Sequence, residues 1–254
     1  MILEKTIENL RVRIYEDRSA MGAAAAADVA DKINELLADR EFINIIFAAA
    51  PSQNEFLYSL SQREDVPWNK VNAFHMDEYI GLETGSPQQF GNFLKEKIFD
   101  KVPFHAIYYI NGNAPDIKDE CDRYAALLIQ HPADIVCMGI GVNTHLAFND
   151  PPVADFDDSQ PVKEVELDEI CRQQQVDDDC FDDLTKVPIA AITLTIPALM
   201  QTGYIYCIVP GVHKSRAIYH TLNSEVNEKH PSTILRRHGN AILYLDGESS
   251  SEIR

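Results

Sequence analysis

Short apolar runs alternate along the chain with stretches whose apolar positions recur at helical spacing. Residues 43–50, 71–74, 107–110, 135–138, 204–209 and 241–245 read as buried strands, being brief, rich in β-formers and bounded by turn residues. Residues 21–37, 54–61, 88–99, 118–130 and 213–222 read as helices, and another opens at Thr195 as N-cap with Pro197 in its first turn. Apolar strands separated by helices predict βαβ units, hence an α/β fold with a mostly parallel sheet and helices on both faces. No repeat or linker interrupts the pattern, so residues 1–254 are expected to form a single domain. Only residues 153–183, long and acidic, break the alternation. They are too long for an ordinary connection and are expected to be a lid or surface insertion. Their acids read as a solvated face, because Asp177, Asp178 and Asp179 lack the spacing of a calcium loop.

Charge narrows the partners. With 40 acidic against 22 basic residues the formal charge is -18, which argues against nucleic acid or an anionic membrane. An anionic small molecule would need a site with its own cations and backbone N–H groups. Arg172, Lys214, Arg216, Arg236 and Arg237 are the candidates. The N-terminus carries acids where a secretory signal has basic and then apolar residues, and no run reaches the ~20 residues of a membrane span. Five scattered cysteines without a CxxC pair suggest reduced thiols in a cytoplasmic protein, with neither a disulfide framework nor a zinc site.

Four segments could carry chemistry. Gly139-Ile-Gly-Val-Asn-Thr-His-Leu-Ala-Phe-Asn-Asp-Pro-Pro152 leaves a strand on glycines and presents Asn143, His145, Asn149 and Asp150 in one loop. Strand ends of this kind are where open α/β sheets place their sites, and His145 could move a proton between a ring oxygen and solvent. A hydrogen-bonded structural histidine is the plainer alternative. Phe74-His-Met-Asp-Glu-Tyr79 also follows a strand and offers Asp77 as a general base, although most Asp-Glu pairs are simply solvated. Ile45-Ile-Phe-Ala-Ala-Ala-Pro-Ser-Gln-Asn54 runs from strand to helix, where Ser52 and free N–H groups could hold a phosphate. It has no glycine and Pro51 removes a donor, so taken alone it reads as a plain N-capped helix. Cys171-Arg172-Gln-Gln-Gln175 and Gly211-Val-His-Lys214 supply a guanidinium and an ammonium that gain meaning only beside a phosphate site.

Taken in order, Phe74-His-Met-Asp-Glu-Tyr-Ile-Gly-Leu82, Asn111-Gly-Asn-Ala-Pro-Asp116, Gly139 to Asp150 and Leu194-Thr-Ile-Pro-Ala-Leu199 make the chain resemble the glucosamine-6-phosphate deaminase/isomerase family, related to 6-phosphogluconolactonase. The similarity covers nearly all of residues 43–246, and Asp-Glu-Tyr rather than Asp-Glu-Arg at 77–79 favours deaminase over lactonase. The resemblance implies a Rossmann-like three-layer sandwich with a lid. It implies conversion of glucosamine 6-phosphate, an amino-sugar 6-phosphate, to fructose 6-phosphate and ammonia. No metal or organic cofactor is implied, and many members are homo-oligomers. By the same resemblance Asp77 matches the base that moves a proton between C1 and C2, and His145 the residue that opens the sugar ring. Asn143 and Asp150 match the groups supporting that histidine, and Ser52, Arg172 and Lys214 match phosphate-binding positions.

The chain also departs from the family pattern. Ala49-Ala50-Pro51 stands where the phosphate loop usually has Thr-Gly or Gly-Gly. Asn143 stands for an Asp, Thr144 for a glycine and Asp150 for a Glu. Asparagine cannot offset an imidazolium, so ring opening is expected to be slower; Asp150 reaches ~1.5 Å less far than Glu. Thr144 is awkward if the turn requires positive φ. These changes keep two alternatives open: a sugar-phosphate-binding or regulatory relative with impaired turnover, or an enzyme for a different sugar derivative.

Overall fold

The computed structural model describes residues 1–253. The chain opens with an antiparallel hairpin of β1 (Leu3–Ile7) and β2 (Leu10–Ile14), followed by α1 (Arg18–Leu37). The alternating segment then supplies β3 (Ile43–Phe47), α2 (Asn54–Ser61), β4 (Val71–His75), β5 (Asp77–Tyr79), α3 (Phe90–Leu94), β6 (Ala106–Tyr108), α4 (Ile117–Gln130) and β7 (Ile135–Met138). The remainder is β8 (Val162–Glu166), α5 (Glu169–Asp177), β9 (Ala190–Leu194), α6 (Ile196–Met200), β10 (Tyr204–Val209), α7 (Ser215–Asn223) and β11 (Ala241–Leu245).

Eight strands form one sheet in the order β1-β2-β11-β10-β7-β3-β4-β6, parallel throughout except for the β1–β2 hairpin. Alternation along β3 shows how the layers arise. Ile43, Ile45 and Phe47 face a core shared with α1 and α2, whereas Ile46 faces the opposite core with α4, α6 and α7. This is the predicted three-layer α/β sandwich. Helix α1 starts where Asp17 accepts the Ala20 N–H, and its alanine run lets it approach the sheet closely.

Departures from the expected elements have local causes. The hairpin β1–β2 escapes sequence reading because β1 is largely polar and exposed and β2 alternates apolar residues with Arg11 and Arg13, so neither is a continuous apolar run. Residues 88–99 form a helix that ends in a π-helical turn, Lys95–Phe99. Thr195 sits at the N-cap of α6, but its hydroxyl bonds the Pro161 carbonyl instead of a helix N–H. The acidic stretch is not one long loop. It contributes β8 and α5, and β8 pairs with β9, which also pairs with β5, to make a small antiparallel sheet.

Topology already places the cleft. From β3 the chain builds outward through β4 to β6, then returns to the other side of β3 with β7. The order therefore reverses between β3 and β7, and ligands of open α/β sheets bind beyond the strand ends at such a point. The loops that follow β3 and β7 are the segments carrying Ser52 and His145.

Candidate active site

A narrow cleft of ≈ 70 Å³ opens at this point, lined by Ser52, Asp77, His145 and Lys214 among others. A second cavity of ≈ 250 Å³, lined by Tyr79, Phe93 and Phe181, shares Ala49, Ala50, Phe90 and Gln175 with it. Together they reach the lower end of the ~300–1,000 Å³ usual for small-molecule sites.

Asp77 stands where the chain leaves the main sheet at Met76 and enters the small one. As the first residue of β5 it lies opposite Thr193 of β9. Its backbone is fixed from below by His75. The Ile110 N–H donates to His75 Nε2 at 2.9 Å, so Nδ1 carries the proton and donates to the Asp77 carbonyl at 2.8 Å. Burial lowers the His75 pKa to about 4 and keeps this neutral arrangement. Burial, with Glu78 alongside, raises the Asp77 carboxyl well above the ordinary carboxylate range. A carboxylate with a raised pKa is a stronger base, which suits removal of a proton from carbon. Glu78 points elsewhere. It accepts the N–H groups of Tyr79, Phe90 and Gly91, and burial still pushes it up to about 7. The two adjacent acids thus divide into one carboxylate at the cleft and one that anchors the start of α3.

His145 is held by its neighbours in the loop. Its Nδ1 lies 2.8 Å from Asn143 Oδ1 and 2.9 Å from Asp150 Oδ1, while Asn143 Nδ2 donates to the same Asp150 oxygen at 2.9 Å. Two acceptors fix the proton on Nδ1 and leave Nε2 with its lone pair. The Asp150 carboxyl is held below its ordinary range: burial opposes this, but the charge of His145 and bonds from His145 and Asn143 prevail. The shorter Asp150 reaches the imidazole directly and supplies the negative charge that asparagine lacks.

Two backbone positions allow this geometry. A Cβ on Gly141 would fall 2.1 Å from the His145 ring, so only glycine lets the imidazole lie over the chain there. Thr144 has φ +73°, the left-handed region that a glycine would enter freely. The Phe148 N–H donates to Thr193 Oγ1, and Asn149 donates to the Leu146 and Leu194 carbonyls. Through β9 the loop is therefore tied to the strand that carries Asp77.

At the other end the chain offers a different set of groups. The N–H groups of Ala49 and Ala50 have no acceptor among the described residues, so the loop presents donors to the cleft without glycine. Lys214 is buried, and no hydrogen bond or ion pair ties its ammonium among the described residues. Burial lowers its pKa to about 8, with Asp178 opposing the shift. An unpaired buried ammonium beside free N–H groups and the Ser52 hydroxyl is suited to an anion.

Arg172 does not join them. It is half-buried on the far face of α5, where its guanidinium donates to the carbonyls of Leu184, Val187 and Pro188. Helical spacing explains the outcome: Cys171, Gln174, Gln175 and Asp178 share the inward face of α5, and Arg172 lies off it. Gln174 accepts the Val142 N–H and Gln175 lines both cavities, so these glutamines are the residues that sequence reading missed. The signal was present in the Gln-Gln-Gln run, whose spacing from the inward-facing cysteine places two of the three toward the cleft.

An open α/β sheet thus gathers a carboxylate, an imidazole and a buried ammonium around its switch-point cleft. Comparison with known proteins gives the family. Residues 16–243 match the family of glucosamine-6-phosphate isomerases and 6-phosphogluconolactonases, and the chain belongs to it. A glucosamine-6-phosphate deaminase from Streptococcus suis (strain 05ZYH33) is 34% identical over 206 residues, covering 81% of this chain and 86% of that protein. Another from Bacillus cereus (strain G9842) is 32% identical over 195 residues, covering 77% and 72%. The structure of a monomeric glucosamine-6-phosphate deaminase superposes with a TM-score of 0.85 at 25% identity, covering 95% of this chain and 99% of that one. The fold extends to 6-phosphogluconolactonase from Trypanosoma brucei, with a TM-score of 0.79 at 15% identity, covering 99% and 100%. Among the described residues no helix is long and apolar enough to cross a membrane.

Proposed function

We propose that the protein converts glucosamine 6-phosphate, or a close amino-sugar 6-phosphate, to fructose 6-phosphate and ammonia. The observation that carries this reading is one cleft holding Asp77, His145 with a free Nε2, and the unpaired ammonium of Lys214. Lys214, Ser52 and the Ala49 and Ala50 N–H groups hold the phosphate. His145 Nε2 takes the proton of the anomeric hydroxyl and returns one to the ring oxygen, which opens the pyranose. The imidazolium formed in passing is stabilised by Asp150. Asp77 then removes the proton from C2 and delivers it to C1. The resulting ketose imine takes up water and releases ammonia, so one water is consumed for each ammonia formed.

A different sugar derivative is the second reading, and one observation favours it. The adjoining ≈ 250 Å³ cavity is lined by Tyr79, Phe90, Phe93 and Phe181, more apolar wall than a hexose phosphate requires. Purified protein with glucosamine 6-phosphate should release ammonia. Asp77→Asn should lower the rate by about 10²–10⁴, the usual contribution of a general base. Ammonia release that survives the substitution would remove Asp77 from the role of base. Faster hydrolysis of 6-phosphogluconolactone than ammonia release would move the protein to the other branch of its family.

A further inference from the structure

We infer that His145, Asp150 and Cys171 form a binding site for a thiophilic divalent cation of the zinc class, and that its occupation switches His145 off. Ligand atoms of the three residues all lie within 4.8 Å of one another. Cys171 is fully buried and Asp150 is 1% exposed. Asp150 Oδ1 serves His145 and Asn143, but Oδ2 has no hydrogen-bond partner among the described residues, and the Cys171 thiol and Asp168 N–H lie close to the same carboxyl. An imidazole nitrogen, a carboxylate oxygen and a thiolate sulfur are a set that zinc accepts, with a fourth position left for water. Calcium and magnesium would select oxygens throughout.

His145 borders the substrate cleft, whereas Asp150 borders a different cavity. A cavity of ≈ 430 Å³, which shares no residue with that cleft, is lined by Asp150, Glu166, Asp168, Glu169 and Arg172 among others. Its acids attract cations in a chain already carrying -18. The single positive charge of Arg172 is outnumbered there by the carboxylates of Asp150, Glu166, Asp168 and Glu169. The inference uses the proposed proton-carrying role of His145 only for its consequence. A cation on Nδ1 releases the Cys171 thiol proton to solvent and moves the imidazole proton to Nε2. Nε2 then has no lone pair to accept the sugar's hydroxyl proton, and turnover stops.

Cobalt(II) and zinc titrations of the full chain test this. Cobalt should form a one-to-one complex with a thiolate-to-metal charge-transfer band that zinc displaces. Cys171→Ser should remove the band and raise the zinc concentration needed for inhibition more than about tenfold, with ammonia release retained. Cys171→Ala serves if the serine variant does not fold. Glu166→Gln with Glu169→Gln should weaken zinc binding at low salt and converge on wild type at high salt. No charge-transfer band, a band that persists without Cys171, or unchanged zinc inhibition in the variant would each overturn the site. The optical signal needs no turnover, so a chain that binds cobalt through Cys171 yet deaminates nothing keeps the metal site and loses the proposed function.

Discussion

At the Asp77 and His145 end of the cleft the working groups are side chains held by other groups of the fold. At the Ser52 and Lys214 end they are backbone N–H groups and one ammonium left without a partner. The first end has its imidazole partnered within the fold, with the Asp150 carboxylate accepting from His145 and Asn143. The second carries a buried cation with no ion pair among the described residues, a cost in stability that a bound anion would offset.

This difference gives the largest expected effect. If the imidazole must lie over bare backbone, Gly141→Ala should lower ammonia release nearly as much as loss of the histidine itself, by about 10²–10³. The added methyl would meet the ring at 2.1 Å and force it from Asn143 and Asp150. Steady-state kinetics beside His145→Gln checks this. A Gly141→Ala variant within about threefold of wild type would show that the pair Asn143–Asp150 does not need the present ring position.

Lys214→Met addresses the other end. Loss of one charge-assisted contact should raise KM for the sugar phosphate by about 10- to 100-fold with kcat little changed. The pH dependence follows from the lysine pKa of about 8 against 10.5 when unperturbed. The protonated form binds the anion, so KM should climb as pH rises past about 8, and the variant should lose that inflection. For stability the sign is opposite to that of a gained ion pair. Between about 8 and 10.5 the unfolded chain holds a proton that the folded one has lost, so stability rises with pH across that window. Below it the buried charge costs stability, and Lys214→Met should gain on the order of 1–3 kcal/mol at pH 7 by urea unfolding. A variant that both binds as before and unfolds as before would erase the contrast between the two ends.

The same contrast explains what could be read from sequence. His145 and Asp77 could be singled out because a histidine and an acid at strand ends stand out from their apolar surroundings, and the fold brings both to one cleft. The core strands and helices were legible because their periods differ. The Ser52 and Lys214 end was less legible: Ala49 and Ala50 carry no chemical signal, since what they offer is an N–H that any residue has. Lys214 stood out only as one of several candidate cations and by family resemblance, since residue type alone does not show that the fold buries it. Arg172 misled for the complementary reason. A guanidinium suits a phosphate and a set of chain-end carbonyls equally well, and only the helical phase of α5 decides which it meets.

Arg172→Ala therefore sharpens the comparison from outside the cleft. Loss of bonds at 3.2, 2.7 and 2.9 Å to the carbonyls after α5 should lower stability by about 1–3 kcal/mol. KM should stay within about twofold of wild type, against the 10- to 100-fold expected at Lys214. A rise in KM comparable to that of Lys214→Met would mean that the guanidinium leaves its carbonyls for the ligand, and the far face of α5 would then belong to the site.

Thr144→Gly should have the smallest effect and decides whether the departure from glycine matters. At φ +73° a side chain costs about 1–2 kcal/mol, and glycine would remove that strain. Glycine's greater freedom in the unfolded chain returns about 0.5–1 kcal/mol, so a net gain of about 0.5 kcal/mol is expected in urea unfolding. The Thr144 carbonyl accepts the Ser232 N–H whatever the side chain, so the loop should keep its place and kcat should stay within about twofold. A loss of more than about 1 kcal/mol would show instead that the buried threonine side chain is worth more in contacts than its backbone costs in strain. Thr144 would then hold the His145 end together, which would extend to an apparent backbone substitution the rule that this end is built by side chains.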